Sequence, residues 1–335
     1  MRSRGDDQNE RRPRQSLPGS VRRWLHTPLS VVFLAACASE PEIAWSYETP
    51  VRADTPAGDH RGVTGTVERF TLPTDLVTER EVEVWLPPSY ASEPGRRYPV
   101  LYMHDGQNVF DPAQSQYSGW DWGVDEAMTA LGLEAIVVAP HSDSETRGAD
   151  YFPQKAGLEN PGAFRDDIGD LDETNMNADA YLRYLTYELK PAIDARYRTR
   201  PEREHTSVMG SSMGGLISLY AISEYPDVFG AAGMVSTHFP LGDGALVDYF
   251  ADRLPDPATH RLYFDYGTET LDYNYETYQD RMDAAVEAAG YRRGANWTTR
   301  KFDGDDHSER AWRNRVHVPL QFLLAGESVP GGEAR

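Results

Sequence analysis

Lysine, cysteine and long hydrophobic runs are all scarce in this sequence of 335 residues. Only three lysines accompany the 53 acidic residues, and the formal net charge is −20 at pH 7. Such an excess of acid argues against a nucleic-acid backbone or an anionic membrane surface as the main partner. The single cysteine excludes a disulfide bond within the chain. The residues that are present, 39% hydrophobic and 11% aromatic, are enough for a packed core.

A short apolar run near the N-terminus predicts export. Residues 29–36 follow a basic region and precede Cys37, which is the order found in a secretory signal. The run is too short to span a bilayer as a mature helix. The sequence Leu34-Ala35-Ala36-Cys37 resembles a bacterial lipobox, so we expect residues 1–37 to be a lipoprotein signal segment and Cys37 to be lipidated. The polar stretch before Val21 favours a start at Val21. The expected location is the bacterial cell envelope, periplasmic or at the cell surface, with the lipid anchor as the sole membrane contact.

The remaining chain divides by composition into a tether, one domain and a tail. Residues 38–61 are rich in proline, alanine and acids, which predicts a flexible tether, and residues 327–335 predict a disordered tail. The domain, residues 62–326, opens with two segments of alternating apolar and polar residues, as half-buried antiparallel strands have. Buried apolar runs then alternate with helical patterns, among them a long helix that Pro191 should kink or divide. This order predicts an α/β sandwich with a mostly parallel sheet and antiparallel N-terminal strands.

Two adjacent serines lie in the segment Gly210-Ser211-Ser212-Met213-Gly214, which matches the pattern G-x-S-x-G. A predicted strand precedes the segment and a predicted helix follows it, as in a nucleophile elbow. Neighbouring elements approach such an elbow so closely that glycine is favoured two residues before and after the nucleophile. Ser212 meets this condition and Ser211 does not. We therefore predict Ser212 as a nucleophile, with a purely structural turn as the alternative interpretation.

A serine nucleophile needs a base, and in this kind of elbow an acid and then a histidine follow it in the chain. His307 lies in a polar loop between the last predicted strand and the last helix, so we predict His307 as the base. The acid should follow the strand at residues 261–267. Asp272 is favoured there and Glu269 is the alternative, although Asp272 would also suit a helix cap.

The oxyanion hole of such a site needs two backbone N–H groups. Met213, directly after the nucleophile, supplies one, and the loop after an early strand supplies the other through Gly106 or Gln107. His104 in this loop has no second histidine at ligand spacing nearby, so we expect neither a metal nor another cofactor.

Two insertions that follow sheet strands carry aromatic and polar residues and should rim a substrate pocket. They contain Trp120, Trp122 and Tyr151, whose rings could stack on a sugar or an aryl group, and ordinary loop packing is the alternative. Arg147 is the obvious cation of this rim. His238, just after the strand that follows the elbow, could line the same pocket.

Four segments carry a family resemblance: RRYPVLYMHDGQNVFD, ADAYLRYLTYELKPAIDARYRT, VMGSSMGGLISLYAISEYPDVFGAAGMVS and GDDHSERAWRNRV. Together they resemble the “Putative esterase” (esterase D-like) family of α/β-hydrolases, over roughly residues 63–325. That family includes ferric enterobactin esterases, feruloyl and acetyl-xylan esterases and mycolyltransferases. The resemblance implies an α/β-hydrolase fold with helices on both faces of the sheet. It also implies Ser212 as nucleophile, His307 as base, an acid within residues 269–272 and the turn at residues 105–107 beside the oxyanion.

The expected function is that of a serine esterase which forms an acyl-enzyme on a small-molecule or carbohydrate-linked ester. The alternatives are a siderophore esterase of the enterobactin type, an acyltransferase of the same fold, and a non-catalytic surface lipoprotein that binds a ligand. A serine, an acid and a histidine that follow one another in the expected chain order argue against the non-catalytic lipoprotein.

Overall fold

The computed structural model of the protein describes residues 63–116, 119–169 and 174–324. The predicted signal segment with Cys37, the tether and the tail lie outside the described residues, so those expectations remain predictions. All described residues fall within one compact unit. Among them, no helix combines the length and the apolar character that a membrane span requires.

Eight strands form one mixed sheet in the order β1-β2-β4-β3-β5-β6-β7-β8. Their bounds are Thr66–Thr71 (β1), Glu81–Leu86 (β2), Val100–Met103 (β3), Ile136–Pro140 (β4), Thr206–Ser211 (β5), Ala231–Val235 (β6), Arg261–Gly267 (β7) and Trp297–Phe302 (β8). β2 pairs antiparallel with β1 and with β4, whereas all pairs from β4 to β8 are parallel. The predicted mostly parallel sheet with antiparallel N-terminal strands is confirmed.

The central strands are apolar on both faces because both faces of the sheet are covered. In β3, Val100 and Tyr102 enter one hydrophobic core, while Leu101 and Met103 enter the other. This division follows from the two-residue repeat of a strand, whose successive side chains point to opposite faces. Near-continuous apolar runs are typical of parallel strands that are buried on both sides.

Helices cover both cores. Their bounds are Ser89–Ser92 (α1), Val124–Leu131 (α2), Arg147–Tyr151 (α3), Gln154–Glu159 (α4), Pro161–Ile168 (α5), Ala178–Arg183 (α6), Lys190–Arg196 (α7), Met213–Glu224 (α8), Ala245–Ala251 (α9), Tyr275–Ala288 (α10), Glu309–Arg315 (α11) and His317–Leu323 (α12). Short 3₁₀ turns lie at Gly106–Asn108, Arg203–His205, Leu241–Gly244 and Thr270–Asn274. Side chains of α6, α8, α9 and α10 belong to one core, and those of α2, α11 and α12 belong to the other. Helices on both faces of the sheet, as the resemblance implies, are therefore present.

The long helix around Pro191 is continuous but irregular. A π turn, Tyr184–Leu189, joins α6 to α7 just before the proline. Proline has no N–H to donate to the carbonyl four residues earlier, and a wider turn accommodates this loss within the helix. The interruption that Pro191 predicts is thus a π turn rather than a break.

The strand directions bring several loops to one edge of the sheet. β3, β5, β7 and β8 run parallel, so the loops that follow Met103, Ser211, Gly267 and Phe302 leave from the same side. Ligand sites of open α/β sheets lie at these carboxyl ends. The predicted nucleophile, base, acid and oxyanion loop all follow one of these four strands.

Candidate active site

Ser212 lies at a sharp turn between β5, which ends at Ser211, and α8, which begins at Met213. Its backbone angles are φ 57° and ψ −119°, a region that residues with a side chain rarely occupy because of steric strain. Backbone hydrogen bonds hold this geometry, since the Ser212 N–H donates to the Val235 carbonyl at 2.9 Å and the His238 N–H donates to the Ser212 carbonyl at 3.3 Å. The arrangement fixes the partly exposed serine side chain at the turn, as an elbow requires.

The glycines around this turn differ in how strictly they are needed. A Cβ on Gly210 would lie 2.7 Å from the Gly214 carbonyl oxygen, so no side chain fits there. A Cβ on Gly214 would make ordinary contacts, with its nearest atom 3.4 Å away on Asp105. A Cβ on Gly215 would lie 2.5 Å from the Thr237 hydroxyl oxygen. The steric need on the helix side is therefore greater at Gly215, which the motif does not specify, than at Gly214.

His307 is hydrogen-bonded to Asp272, with 2.6 Å between Nδ1 and Oδ1. The other oxygen of Asp272, Oδ2, accepts the Ser236 hydroxyl at 2.6 Å and the Gly267 N–H at 2.7 Å. Burial alone would raise the pKa of Asp272, but the hydrogen bond and charge of His307, together with the other two donors, hold it below its usual value. The acid beside the histidine is thus an ionised, fully bonded carboxylate.

Glu269, the alternative acid, lies elsewhere. Its side chain is exposed, and its N–H donates to the Asp305 carbonyl at 3.0 Å. Asp272 makes no cap of the following helix, because its carboxylate accepts from Gly267 behind it in the chain. The structure therefore brings Asp272, and not Glu269, to His307.

The loop that carries His307 is tied to the loop that carries the acid. The His307 N–H donates to the Thr270 hydroxyl at 2.9 Å, and the Asp305 carbonyl accepts the N–H groups of Thr268 and Glu269. The imidazole ring meets Trp312 edge to face, with 4.9 Å between the ring centroids. The backbone hydrogen bond and the contact with the Trp312 ring together hold the imidazole in place.

A cavity of about 380 Å³ opens in front of Ser212 and His307. Most of the residues that line it have polar side chains. They come from the segments that follow β3, β4, β5 and β8 and from α11: Asp105, Asn108, Arg147, Ser211, Ser212, His307, Ser308, Glu309 and Trp312. The predicted nucleophile and base therefore share one cavity although 95 positions separate them in the sequence.

Asp105 and Arg147 form one wall of this cavity. The guanidinium donates two parallel hydrogen bonds to the carboxylate, at 2.7 and 2.8 Å. Burial would raise the pKa of Asp105, but the charge and the hydrogen bonds of Arg147 hold it below its usual value. Asp105 has a left-handed backbone, with φ 58°, and its N–H donates to the Tyr151 hydroxyl at 3.1 Å. The pair thus anchors the turn that leads into the predicted oxyanion loop.

The predicted oxyanion loop is held tightly after Asp105. A Cβ on Gly106 would lie 2.1 Å from the Ala139 carbonyl oxygen, so only glycine can occupy this position. The side-chain amide of Gln107 donates to the Ser142 hydroxyl at 2.8 Å and accepts the Ser142 N–H at 3.0 Å. Both residues begin a short 3₁₀ turn, and the first N–H groups of a helical turn have no partner within it.

The predicted pocket residues are distributed unevenly. Arg147 lines the cavity, whereas Tyr151 is fully buried behind it, in contact with Asp105 through its hydroxyl. Trp122 is buried and packs against Trp312, with 5.4 Å between the ring centroids, and Trp120 is partly exposed.

His238 faces Tyr275, with 2.5 Å between its Nδ1 and the hydroxyl oxygen. Its pKa is lowered by burial and by the nearby charge of His307. The side chain therefore lies close to the base without being among those that line the cavity.

Sequence reasoning did not predict five of the lining residues as cavity residues. One of them, Ser211, directly precedes the predicted nucleophile. Ser308 and Glu309 directly follow His307, so their closeness in the chain was an available signal. Trp312 lies one turn further along α11. Asn108 belongs to the oxyanion loop, but nothing in its own sequence context indicates a cavity position.

Among the described residues, two groups of side chains have ligand atoms close enough for a metal ion, and neither lines the cavity. The groups are Glu81, Glu83 and His141, and Asp121, Asp125 and Glu126. Each group already contains a cation, since Arg69 pairs with Glu83 and Arg313 pairs with Asp121. A guanidinium within each group explains the clustered carboxylates as ion-pair networks.

Comparison with known proteins assigns this chain to a family. The family model described as “Putative esterase” matches residues 74–323, which is well over half of the chain. The ferri-bacillibactin esterase BesA of Bacillus subtilis is 25% identical over 190 residues, which cover 52% of this chain and 63% of that protein. The chain therefore spans less than two thirds of that relative.

Solved structures share the fold at lower sequence identity. A ferulic acid esterase superposes with a TM-score of 0.56 at 21% identity, over 78% of this chain and 98% of that one. The enterobactin esterase FES of Shigella flexneri superposes with a TM-score of 0.58 at 16% identity, over 78% of this chain and 60% of that one. The resemblance and the α/β-hydrolase type of fold are thus confirmed. This chain belongs to the “Putative esterase” family and is a carboxylic ester hydrolase.

Proposed function

We propose that the protein cleaves its ester by a Ser212–His307–Asp272 triad through an acyl-enzyme. One observation carries this proposal. The carboxylate of Asp272 accepts a hydrogen bond from the Nδ1–H of His307, with 2.6 Å between Oδ1 and Nδ1. The lone pair of Nε2 is then available to a serine in the same cavity. An imidazole oriented in this way can act as a general base towards Ser212.

In the proposed reaction, His307 Nε2 takes the hydroxyl proton of Ser212 while the serine oxygen attacks the ester carbonyl. The tetrahedral intermediate collapses when His307 returns that proton to the departing alcohol, which leaves Ser212 acylated. Water then gives a proton to His307 and attacks the acyl group. His307 returns that proton to the serine oxygen as the second intermediate collapses, which releases the carboxylic acid and regenerates the serine hydroxyl. Asp272 keeps its charge throughout and stabilises the imidazolium.

The oxyanion of both intermediates would be bound by backbone N–H groups. The Met213 N–H opens α8, where the helix dipole adds partial positive charge. The Gly106 or Gln107 N–H is the second donor, in the loop that Arg147 anchors through Asp105. These donors are fixed before a substrate arrives, which is the property that makes such sites effective.

Substitution of the two adjacent serines tests the proposal. Ser212→Ala should lower kcat on 4-nitrophenyl acetate by at least about 10³-fold, as loss of a triad nucleophile does. Ser211→Ala, the matched control, should stay within about tenfold of the wild type, because Ser211 lies at the end of β5 and has no glycine spacing. A fluorophosphonate probe should label the peptide that contains Ser212. The triad is refuted if Ser212→Ala keeps the wild-type rate.

The same labelling separates the esterase from a non-catalytic surface lipoprotein, which would bind ligand but leave the probe unreacted. An acyltransferase of the same fold would be labelled too, and would differ by transferring its acyl group to an added alcohol faster than to water. A panel of feruloyl, acetyl-xylan and trilactone siderophore esters identifies the substrate class. The names of the relatives, a ferri-bacillibactin esterase and a ferulic acid esterase, support including both kinds of ester.

The location in the cell is a separate part of the proposal. The sequence Leu34-Ala35-Ala36-Cys37 supports lipidation of Cys37 and anchoring to the cell envelope. Labelling with an alkyne fatty acid should modify the wild-type chain and not the Cys37→Ser variant. If both chains are equally labelled, or neither is, Cys37 is not the lipidation site.

A further inference from the structure

Glu309 is an acidic group of the cavity that the proposed triad does not use. It opens α11, two residues after His307, and 6% of its surface is exposed. It lines the cavity together with Ser212 and His307. The charges of Asp105 and Arg147, two other lining residues, act on its carboxyl group, which supports a position of this group on the cavity side. A carboxyl group in such a place needs a counter-charge or a proton, because desolvation disfavours its charged form.

The other acid of the cavity forms an ion pair and Glu309 does not. Asp105 receives two hydrogen bonds from Arg147, whereas no cation within the described part of the chain forms an ion pair with Glu309. Burial raises the pKa of Glu309 to about 7; the charge of Asp105 adds to this rise, while the backbone N–H of Glu309 and the charge of Arg147 oppose it. The cavity therefore gains a negative charge as the pH passes neutrality.

We infer that Glu309 is a specificity-determining residue that selects esters without a negative charge next to the scissile bond. This inference rests on the proposed function, since it assumes that the ester is cleaved in this cavity. A substrate carboxylate would face the Glu309 carboxylate in a confined space, where like charges are strongly disfavoured. A neutral ester with hydroxyl or amide groups could accept a hydrogen bond from the protonated form or donate one to the ionised form.

Matched ester pairs that differ only in charge test this inference. For the alcohol side of the ester, the pair is 4-acetoxybenzamide and 4-acetoxybenzoate. For the acyl side, it is 4-nitrophenyl 4-carbamoylbenzoate and 4-nitrophenyl 4-carboxybenzoate. The measured quantity is the ratio of kcat/KM for the neutral ester to kcat/KM for the anionic ester.

At pH 8, this ratio should fall about tenfold or more in Glu309→Gln for at least one of the two pairs, because glutamine keeps the size but removes the charge. Glu309→Asp should retain most of the discrimination. Glu159→Gln, which removes an exposed acid paired with Arg253 outside the cavity, is the control and should leave the ratio unchanged.

The wild-type protein alone gives an independent measurement, which holds even if a variant fails to fold. Its ratio should increase from pH 6 to pH 8 as Glu309 ionises. The charged groups facing Glu309 are Asp105 after β3, Arg147 of α3, and Asp306 and His307 before α11.

A ratio that is constant with pH and unchanged in Glu309→Gln overturns the inference. So does an equal loss of activity on both esters of each pair in that variant, since this would mark a structural role. Failure of the proposed function is a different result, namely hydrolysis of the neutral esters by Ser212→Ala at the wild-type rate.

Discussion

Replacement of Asp272 by asparagine should disable the base while leaving the fold intact. Two donors converge on Oδ2 of Asp272, the Gly267 N–H and the Ser236 hydroxyl. Neither can turn away, because the first is a backbone group and the Ser236 oxygen already accepts hydrogen bonds from Trp312 and Arg315. Only the carbonyl oxygen of an asparagine can satisfy them, so its amide group must point at His307.

An amide donor beside Nδ1 selects the wrong tautomer of the imidazole. Nδ1 would then accept, the ring proton would lie on Nε2, and that nitrogen could no longer take the serine proton. Loss of the correct tautomer in a serine triad lowers kcat about 10⁴-fold, equal to about 5 kcal/mol of transition-state stabilisation. For Asp272→Asn we therefore expect kcat to fall by about 10³- to 10⁴-fold and KM to change little.

The assay is steady-state hydrolysis of 4-nitrophenyl acetate at pH 7.5, with the melting temperature as a check on folding. Glu269→Gln is the matched control, since the exposed Glu269 is the alternative acid, and it should stay within about twofold of the wild type. The reasoning is refuted if Asp272→Asn keeps more than a tenth of the wild-type kcat, or if Glu269→Gln is the more damaging change.

Two further predictions concern the framework of the site. Gly210→Ala should lower the free energy of unfolding by about 1–3 kcal/mol and reduce activity, because its Cβ would lie 2.7 Å from the Gly214 oxygen; urea unfolding measures the loss. Arg147→Ala should cost about 3–5 kcal/mol at pH 7 by leaving the Asp105 carboxylate buried without its partner. Because Arg147 lowers the folded-state pKa of Asp105, its stabilisation is complete above the unfolded value near 4 and is lost as the pH falls through the lower folded value. The stability difference between wild type and Arg147→Ala should thus shrink below pH 4, and a constant difference would contradict this account.

The elbow was predictable because its determinants are local. A strand, a tight turn and a helix follow one another within residues 206–224, and the steric need for small residues appears directly in the sequence. Even here the prediction was incomplete. The closest approach on the helix side is between Gly215 and Thr237, and Thr237 reaches that position only after β6 has paired with β5.

The sequence narrowed the candidate acid partner of His307 to two residues but could not decide between them. Asp272 and Glu269 are three positions apart and follow the same strand, so spacing treats them alike. Burial distinguishes them, because the 3₁₀ turn Thr270–Asn274 directs Asp272 towards Ser236, Gly267 and His307. Those partners belong to three different segments of the chain.

The pocket was the least predictable part. Aromatic residues in insertions were expected at the rim, yet Trp122 and Tyr151 are buried. They contact lining residues from behind: Trp122 packs against Trp312, and the Tyr151 hydroxyl accepts the Asp105 N–H. Packing an aromatic ring against the protein is more favourable than leaving it in water. An aromatic residue in a loop can therefore point into the protein, and the sequence does not show whether it faces the cavity.

From the sequence one can predict the order of strands and helices, the turn at Ser212 and the chain order of the candidate nucleophile, acid and base. These features depend on periodicity and on sterics within a few residues. Three features required the tertiary structure: Asp272 meets His307, Arg147 neutralises Asp105, and Glu309 lines the cavity without an ion pair among the described residues. Each of these depends on which loops the parallel strands bring to one edge of the sheet, and on the loss of water there, which sets the cost of every charge.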